Sequence, residues 1–216
     1  MRLPERLPLL TGATLLLLYA ATLSGNFNFD GTVFALLLRQ SLAAGSAFSH
    51  LHFQHLLYAP ATFLFNRLLP IDPLKALQLF GWGVTGLSLF LFALALSKRS
   101  LSPSLRTWAT LILGLSSTFW SAGTDAEVHC LSLLFVSLAL YLFLSGREGW
   151  AALALGFSPL AHALNIFVVV GAAGELLYRK GKKAWPLLFP LTLPWALPYG
   201  MLTLPSLWRG AKPLLL

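Results

Sequence analysis

Charge is what this chain has least of. Asp, Glu, Lys and Arg make up 10% of its 216 residues, where a soluble domain carries about 25%. Acid is the scarcer sign, with seven Asp and Glu against fifteen Lys and Arg. With 57% apolar residues and a mean hydropathy of +0.75, there is too little polar surface to coat a water-soluble domain of this size. The same composition excludes a disordered chain. Cysteine is nearly missing: Cys130 alone excludes an intrachain disulfide and a cysteine-built metal site. There is no phosphate-cradling glycine loop, nucleophile elbow or zinc-protease helix. No internal repeat or low-complexity linker divides the chain. The net charge of +8 does not read as nucleic-acid binding, because the bases sit in small clusters between apolar runs, as cytoplasmic loop anchors do.

What is present in quantity is long charge-free sequence. Windows at 7–29, 76–97, 107–124, 128–146, 149–174 and 184–208 exceed or approach the roughly 20 residues that cross a hydrocarbon core. In lipid, such segments satisfy their backbone groups as helices. The expected fold is therefore all-α: a polytopic transmembrane helical bundle forming a single domain over 1–216. The first window lacks a small-residue cleavage site and reads as a retained span. Residues 55–69 are short for a crossing but ample for an interfacial or re-entrant helix, and charge bias decides for the interface.

Charge bias sets the sides. With the N-terminus in the cytoplasm and 55–69 not crossing, residues 25–75 form a large outer loop and 121–129 a second one. Lys98, Arg99 and Arg106 then fall inside. The break at Ser158-Pro159, followed by His162 and Asn165, predicts two short helices that enter and return, which keeps Arg179, Lys180, Lys182 and Lys183 inside. About seven passes result. Ten of the fifteen bases are inside on this scheme: those seven with Arg2, Arg6 and Arg147. Pro186, Pro190, Pro194 and Pro198 recur every fourth residue and predict a distorted final helix.

The scheme gathers polar chemistry on the outside: Asp30, Asp72, Asp125, Glu127 and all five histidines, accompanied by Arg39, Arg67 and Lys75. Ionisable groups at membrane helix ends are expensive and tend to be functional. Asp30, in Asn26-Phe-Asn-Phe-Asp30-Gly31, is placed either as a general base toward a hydroxyl or as the N-cap of a helix running through Ala43. Asp125, Glu127 and His129 are three ionisable groups within five residues, more than helix capping requires. His50, His52 and His55 match no closed zinc spacing. They read as phosphate-binding or as interfacial side chains. His162, beside a helix break, carries the same alternatives with a stronger functional share. Phe27, Phe29, Trp120, Trp150 and Trp208 read as interfacial aromatics. No cofactor is required by these residues, and a divalent metal is left open.

Residues 117–141, STFWSAGTDAEVHCLSLLFVSLALY, are similar to the "FW…AEVY-L" second-loop segment of the C-type membrane glycosyltransferases, in their protein O-mannosyltransferase-like branch. His55-Leu-Leu-Tyr58 through Asn66-Arg67-Leu-Leu-Pro70 resembles that branch's first-loop amphipathic helix, and residues 150–178 its short paired helices. The resemblance spans nearly the whole chain as a pattern. It implies a transferase taking a sugar from a polyprenyl- or dolichyl-phosphate donor to a glycan, lipid or protein acceptor, among membrane lipids and without nucleic acid. Asp30 would be the base for an inverting displacement. Asp125 and Glu127 would orient acceptor or donor, and His162, His55, Arg67 and Arg39 would hold the donor phosphate. His50, His52 and His129 are further candidates. The chain departs from the pattern in Gly31, where many relatives have a second acid nearby, and in its length. A transporter or lipid-binding subunit, and a truncated noncatalytic relative, are the competing expectations. Short loops and the lack of sorting signals place it in a bacterial inner membrane, active site outward.

Overall fold

The computed structural model describes residues 3–25, 29–48 and 53–208, and these are helical with no strand among them. In chain order the helices are α1 (Leu3–Ala21), α2 (Phe29–Ala43), α3 (Tyr58–Leu68), α4 (Pro73–Ser97), α5 (Pro103–Gly114), α6 (Ser117–Thr124), α7 (Cys130–Leu144), α8 (Glu148–Ala161), α9 (Ile166–Lys180) and α10 (Trp185–Trp208). The all-α expectation holds. Among the described residues, α4 alone is long and apolar enough to cross a membrane; Arg6–Ala21 and Cys130–Leu144 are shorter apolar helices. The charge-free windows overstated helix length because they include turn and capping residues. The first window stops being helical at Ala21, and Ser24 N–H instead donates to Thr124 O at 2.8 Å.

The long elements run up and down, and side-chain contacts fix their sense. Trp82 Nε1 on α4 donates to Leu16 O on α1 at 3.0 Å, while Gln78, one turn earlier on α4, reaches the end of α1 through Ser24 O at 2.9 Å. These helices are therefore antiparallel. The 107–124 window is two helices, broken at Leu115-Ser116. The break leaves the Gly114 carbonyl without a continuing helical donor, and the buried Tyr19 hydroxyl on α1 donates to it. Lys98, just past α4, lies over the Tyr141 ring near the end of α7, so α4 and α7 run in the same direction. Lys180, at the end of α9, ion-pairs with Glu148, at the start of α8. The α8–α9 pair is thus the expected return hairpin, with the turn at His162 and not at Ser158-Pro159: Pro159 lies within the last turn of α8.

Two elements owe their position to capping and close approach. Asp72 Oδ1 caps α4, accepting from Leu74 N–H at 3.0 Å and Lys75 N–H at 3.3 Å, with Pro73 at the first helical position. A Cβ on Gly156 of α8 would stand 2.6 Å from Pro190 O and 2.7 Å from Leu191 O, so α8 and α10 touch backbone to backbone. Pro194, which has no N–H, leaves the Pro190 carbonyl unpaired within α10, and the Gly156 face packs directly on it. The helix runs through its prolines from Trp185 to Trp208.

The bundle has two chemically different ends. One carries Lys98, Arg99, Arg147, Glu148, Arg179 and Lys180; the other carries the α6–α7 connection and the α8–α9 turn. They are called here the basic end and the histidine end.

Candidate functional site

The histidine end is organised by the last turn of α8. A helix leaves its final carbonyls without intrahelical partners, and here each of the last four is met. Ser158 O accepts from His162 N–H at 3.0 Å and from Asn165 Nδ2 at 3.2 Å. Pro159 O accepts from the Tyr199 hydroxyl at 3.1 Å. Leu160 O accepts from Leu57 N–H at 2.9 Å. Ala161 O pairs with His55 Nδ1 at 3.1 Å. A carbonyl only accepts, so His55 carries its proton on Nδ1. The α8 terminus thereby clamps the segment leading into α3, the α9 start and α10 into one piece.

Three imidazoles meet on this clamp. The His162 ring lies 4.9 Å from that of His55 and 4.4 Å from that of His129, between centroids. His55 is buried, with Phe34 of α2 edge-on at 5.3 Å. His162 Nδ1 accepts from Leu164 N–H at 3.3 Å, so its neutral ring presents an N–H at Nε2. Burial, then the neighbouring His129 and His55, push His162 down to about 4. It is uncharged at neutral pH. Among the described residues no group of three or more His, Cys, Asp or Glu is set to hold a metal ion.

The acids lie around this centre at different depths. Glu127 is half-buried and close enough to Tyr58 that its charge, after burial itself and Cys130, helps hold that phenol well above its usual value of 10. The Tyr58 hydroxyl is buried with no hydrogen-bond partner among the described residues. Asp125 follows α6 as its C-cap and not as the N-cap of the next helix, and its Oδ1 accepts from Ala126 N–H at 2.7 Å. Asp30 is exposed as the second residue of α2, inside its first turn and not at its N-cap; the helix runs through Ala43 as expected, and Asp30 stands one turn before Phe34.

The basic candidates do not join the histidines. Arg39 Nη2 meets Asp72 Oδ2 at 3.4 Å, both side chains largely exposed. Arg67 is exposed in the last turn of α3, nine residues from Tyr58 and so about 13 Å along the helix axis. His50 and His52 lie outside the described residues.

One organising residue escaped the sequence reading. Gln78, buried in α4, donates through Nε2 to Ser24 O at 2.9 Å and Thr124 O at 2.8 Å. It ties the segment leading to Asp30 to the segment leading to Asp125 and Glu127. Gly81, one turn on, makes room for this: a Cβ there would stand 2.9 Å from Ala122 O. A lone amide in an otherwise apolar span was the available signal. Ser132, which accepts from Asn165 Nδ2 across α7 and α9, was equally unmarked.

No family model, no curated protein and no solved structure matches this chain.

Proposed function

We propose that this protein is an integral membrane glycosyltransferase that moves a sugar from a polyprenyl- or dolichyl-phosphate donor to an acceptor hydroxyl, with inversion. The observation that carries the proposal is the gathering of His55, His129, His162 and Glu127 at one end of a helical bundle whose other end is basic. Such an asymmetry suits a site at one bilayer face, with the basic end in the cytoplasm.

The membrane reading has its own support. Large apolar side chains point outward, including Leu17, Trp108, Ile112 and Phe167, while Thr85, Ser88, Thr110 and Ser158 are buried inside. The core is apolar as well, and apolar side chains covering the outside too are what lipid, not water, accepts. The alternating sense of α1, α4, α5–α6, α7, α8, α9 and α10 supports a reading of seven crossings. In this reading α8, of 14 residues, and α7 and α9, of 15 each, span about 21–22 Å, and local thinning of the bilayer matches them. Helix α3 buries Tyr58, Thr62 and Asn66 along one face and lies at the interface.

In this reading a carboxylate, Asp30, takes the proton of the acceptor hydroxyl. The resulting oxygen attacks the anomeric carbon. The bond from that carbon to the donor phosphate oxygen breaks, and the phosphate leaves with the electron pair. Neutral His162 offers its Nε2–H to the departing phosphate, beside His55 and His129. Glu127 and Asp125 orient the acceptor. Arg39, paired with Asp72, and Arg67, in the last turn of α3, are assigned here to the outer surface and not to the phosphate pocket.

The test is turnover by the purified full chain in proteoliposomes, supplied with a series of radiolabelled polyprenyl-phosphate sugars. Release or transfer of label with at least one donor is expected. Folded protein that turns over none of them overturns the transferase reading and leaves the histidine end as a binding site without chemistry.

A further inference from the structure

The basic end contains a second feature that sugar transfer does not use. A cavity of about 520 Å³ opens there between α7, α8, α9 and α10. That volume lies within the range of sites that enclose a small ligand. Alanines make the space, among them Ala139, Ala152 and Ala172, and leucines line its depth. The charged residues lining it are Arg99, Arg179, Lys180, Glu148 and Glu175, three cations against two carboxylates. Both carboxylates are already engaged, Glu148 with Lys180 and Glu175 with Arg179. Arg99 is exposed at the rim and takes part in none of the ion pairs among the described residues. Lys98, Lys182 and Lys183 flank these positions in sequence. The unmatched charge at the mouth is therefore positive, while the depth is hydrocarbon.

We propose that this cavity holds one anionic phospholipid, its phosphate at Arg99, Arg179 and Lys180 and one acyl chain between α8 and α9. An apolar chain alone would not need the arginine, and a soluble anion would not need the alanine-lined depth. Basic pockets between membrane helices on the cytoplasmic side take anionic head groups on the same grounds. The proposal rests on the membrane reading above and is independent of whether the histidine end is catalytic.

The experiment uses the full chain in detergent, incubated with phosphatidylglycerol or phosphatidylcholine, with retained lipid counted by native mass spectrometry. One phosphatidylglycerol per chain is expected, in preference to phosphatidylcholine. Arg99→Gln, at an exposed position, should weaken its retention about fivefold, the contribution of one basic group near an anionic surface. Ala172→Trp, which fills the cavity, should remove the bound lipid. Equal retention of the two lipids, or retention indifferent to both substitutions, overturns the proposal. A carbonate wash of the source membranes separates the premises. Protein released by the wash overturns the membrane reading and this proposal with it. Protein that resists the wash yet shows no preference overturns this proposal alone.

Discussion

Replacing His55 by Phe removes the bond from its ring to the Ala161 carbonyl at the end of α8. The phenyl ring keeps the edge contact with Phe34 and the ring contact with His162. It cannot donate to Ala161 O, which His55 Nδ1 reaches at 3.1 Å in a buried setting. Removing one partner of a buried hydrogen bond costs the desolvation of the group left behind, about 1–3 kcal/mol. Taking about 2 kcal/mol, a chain of this length should lose roughly 4–8 °C in Tm. The assay is thermal unfolding of the purified protein in one detergent at pH 7.5, with Arg67→Gln as an exposed control. Leu57 N–H still holds Leu160 O in the variant, so the fold survives and the loss is measurable. A His55→Phe protein as stable as wild type would refute the assignment of the Nδ1 proton and with it the clamp on the α8 terminus.

Three other expectations follow from the same contacts. Gly156→Ala places a methyl 2.6 Å from Pro190 O; separating α8 from α10 should cost about 1–3 kcal/mol, read as a lower Tm, whereas Gly149→Ala, with open space around it, should cost less. Because His162 titrates at about 4 when folded and at 6.5 otherwise, the unfolded chain binds more protons between those values. Stability should therefore be complete above pH 6.5 and fall as the pH drops toward 4, and His162→Gln should flatten that fall in a Tm-against-pH series. Arg39→Gln breaks only an exposed pair at 3.4 Å, worth about 0–1 kcal/mol; it should leave both Tm and the KM for the donor nearly unchanged, and a tenfold rise in KM would return Arg39 to the phosphate site.

The helical class, the helix through Ala43, the short helix before α4 and the α8–α9 hairpin were legible from composition, an acidic first turn, a short apolar stretch, and the bases at 179–183 that demand a return, although the turn itself falls at His162 and not at the proline. Helix ends were not legible from charge alone. The 107–124 window contains no charged residue, yet it breaks at Leu115-Ser116, where a tertiary donor, Tyr19, takes the freed Gly114 carbonyl. The site was half legible. Listing the outer acids and histidines found Glu127, His55, His129 and His162, which the fold does bring into one region. The same listing included Arg39 and Arg67, because sidedness in sequence can tell neither the two ends of α3 apart nor that Arg39 pairs with Asp72. Gln78 and Ser132 were missed since their roles exist only once α4 meets the ends of α1 and α6, and α7 meets the α8–α9 turn.

The most direct test of the central claim is the turnover number of Asp30→Asn beside Glu127→Gln, with the best polyprenyl-phosphate sugar in proteoliposomes. If Asp30 is the base, Asp30→Asn lowers kcat by about 10²–10⁴ at unchanged Tm, while Glu127→Gln acts mainly on KM for the acceptor. An Asp30→Asn protein that transfers sugar at the wild-type rate would contradict the account, and loss of kcat confined to Glu127→Gln would move the base to Glu127.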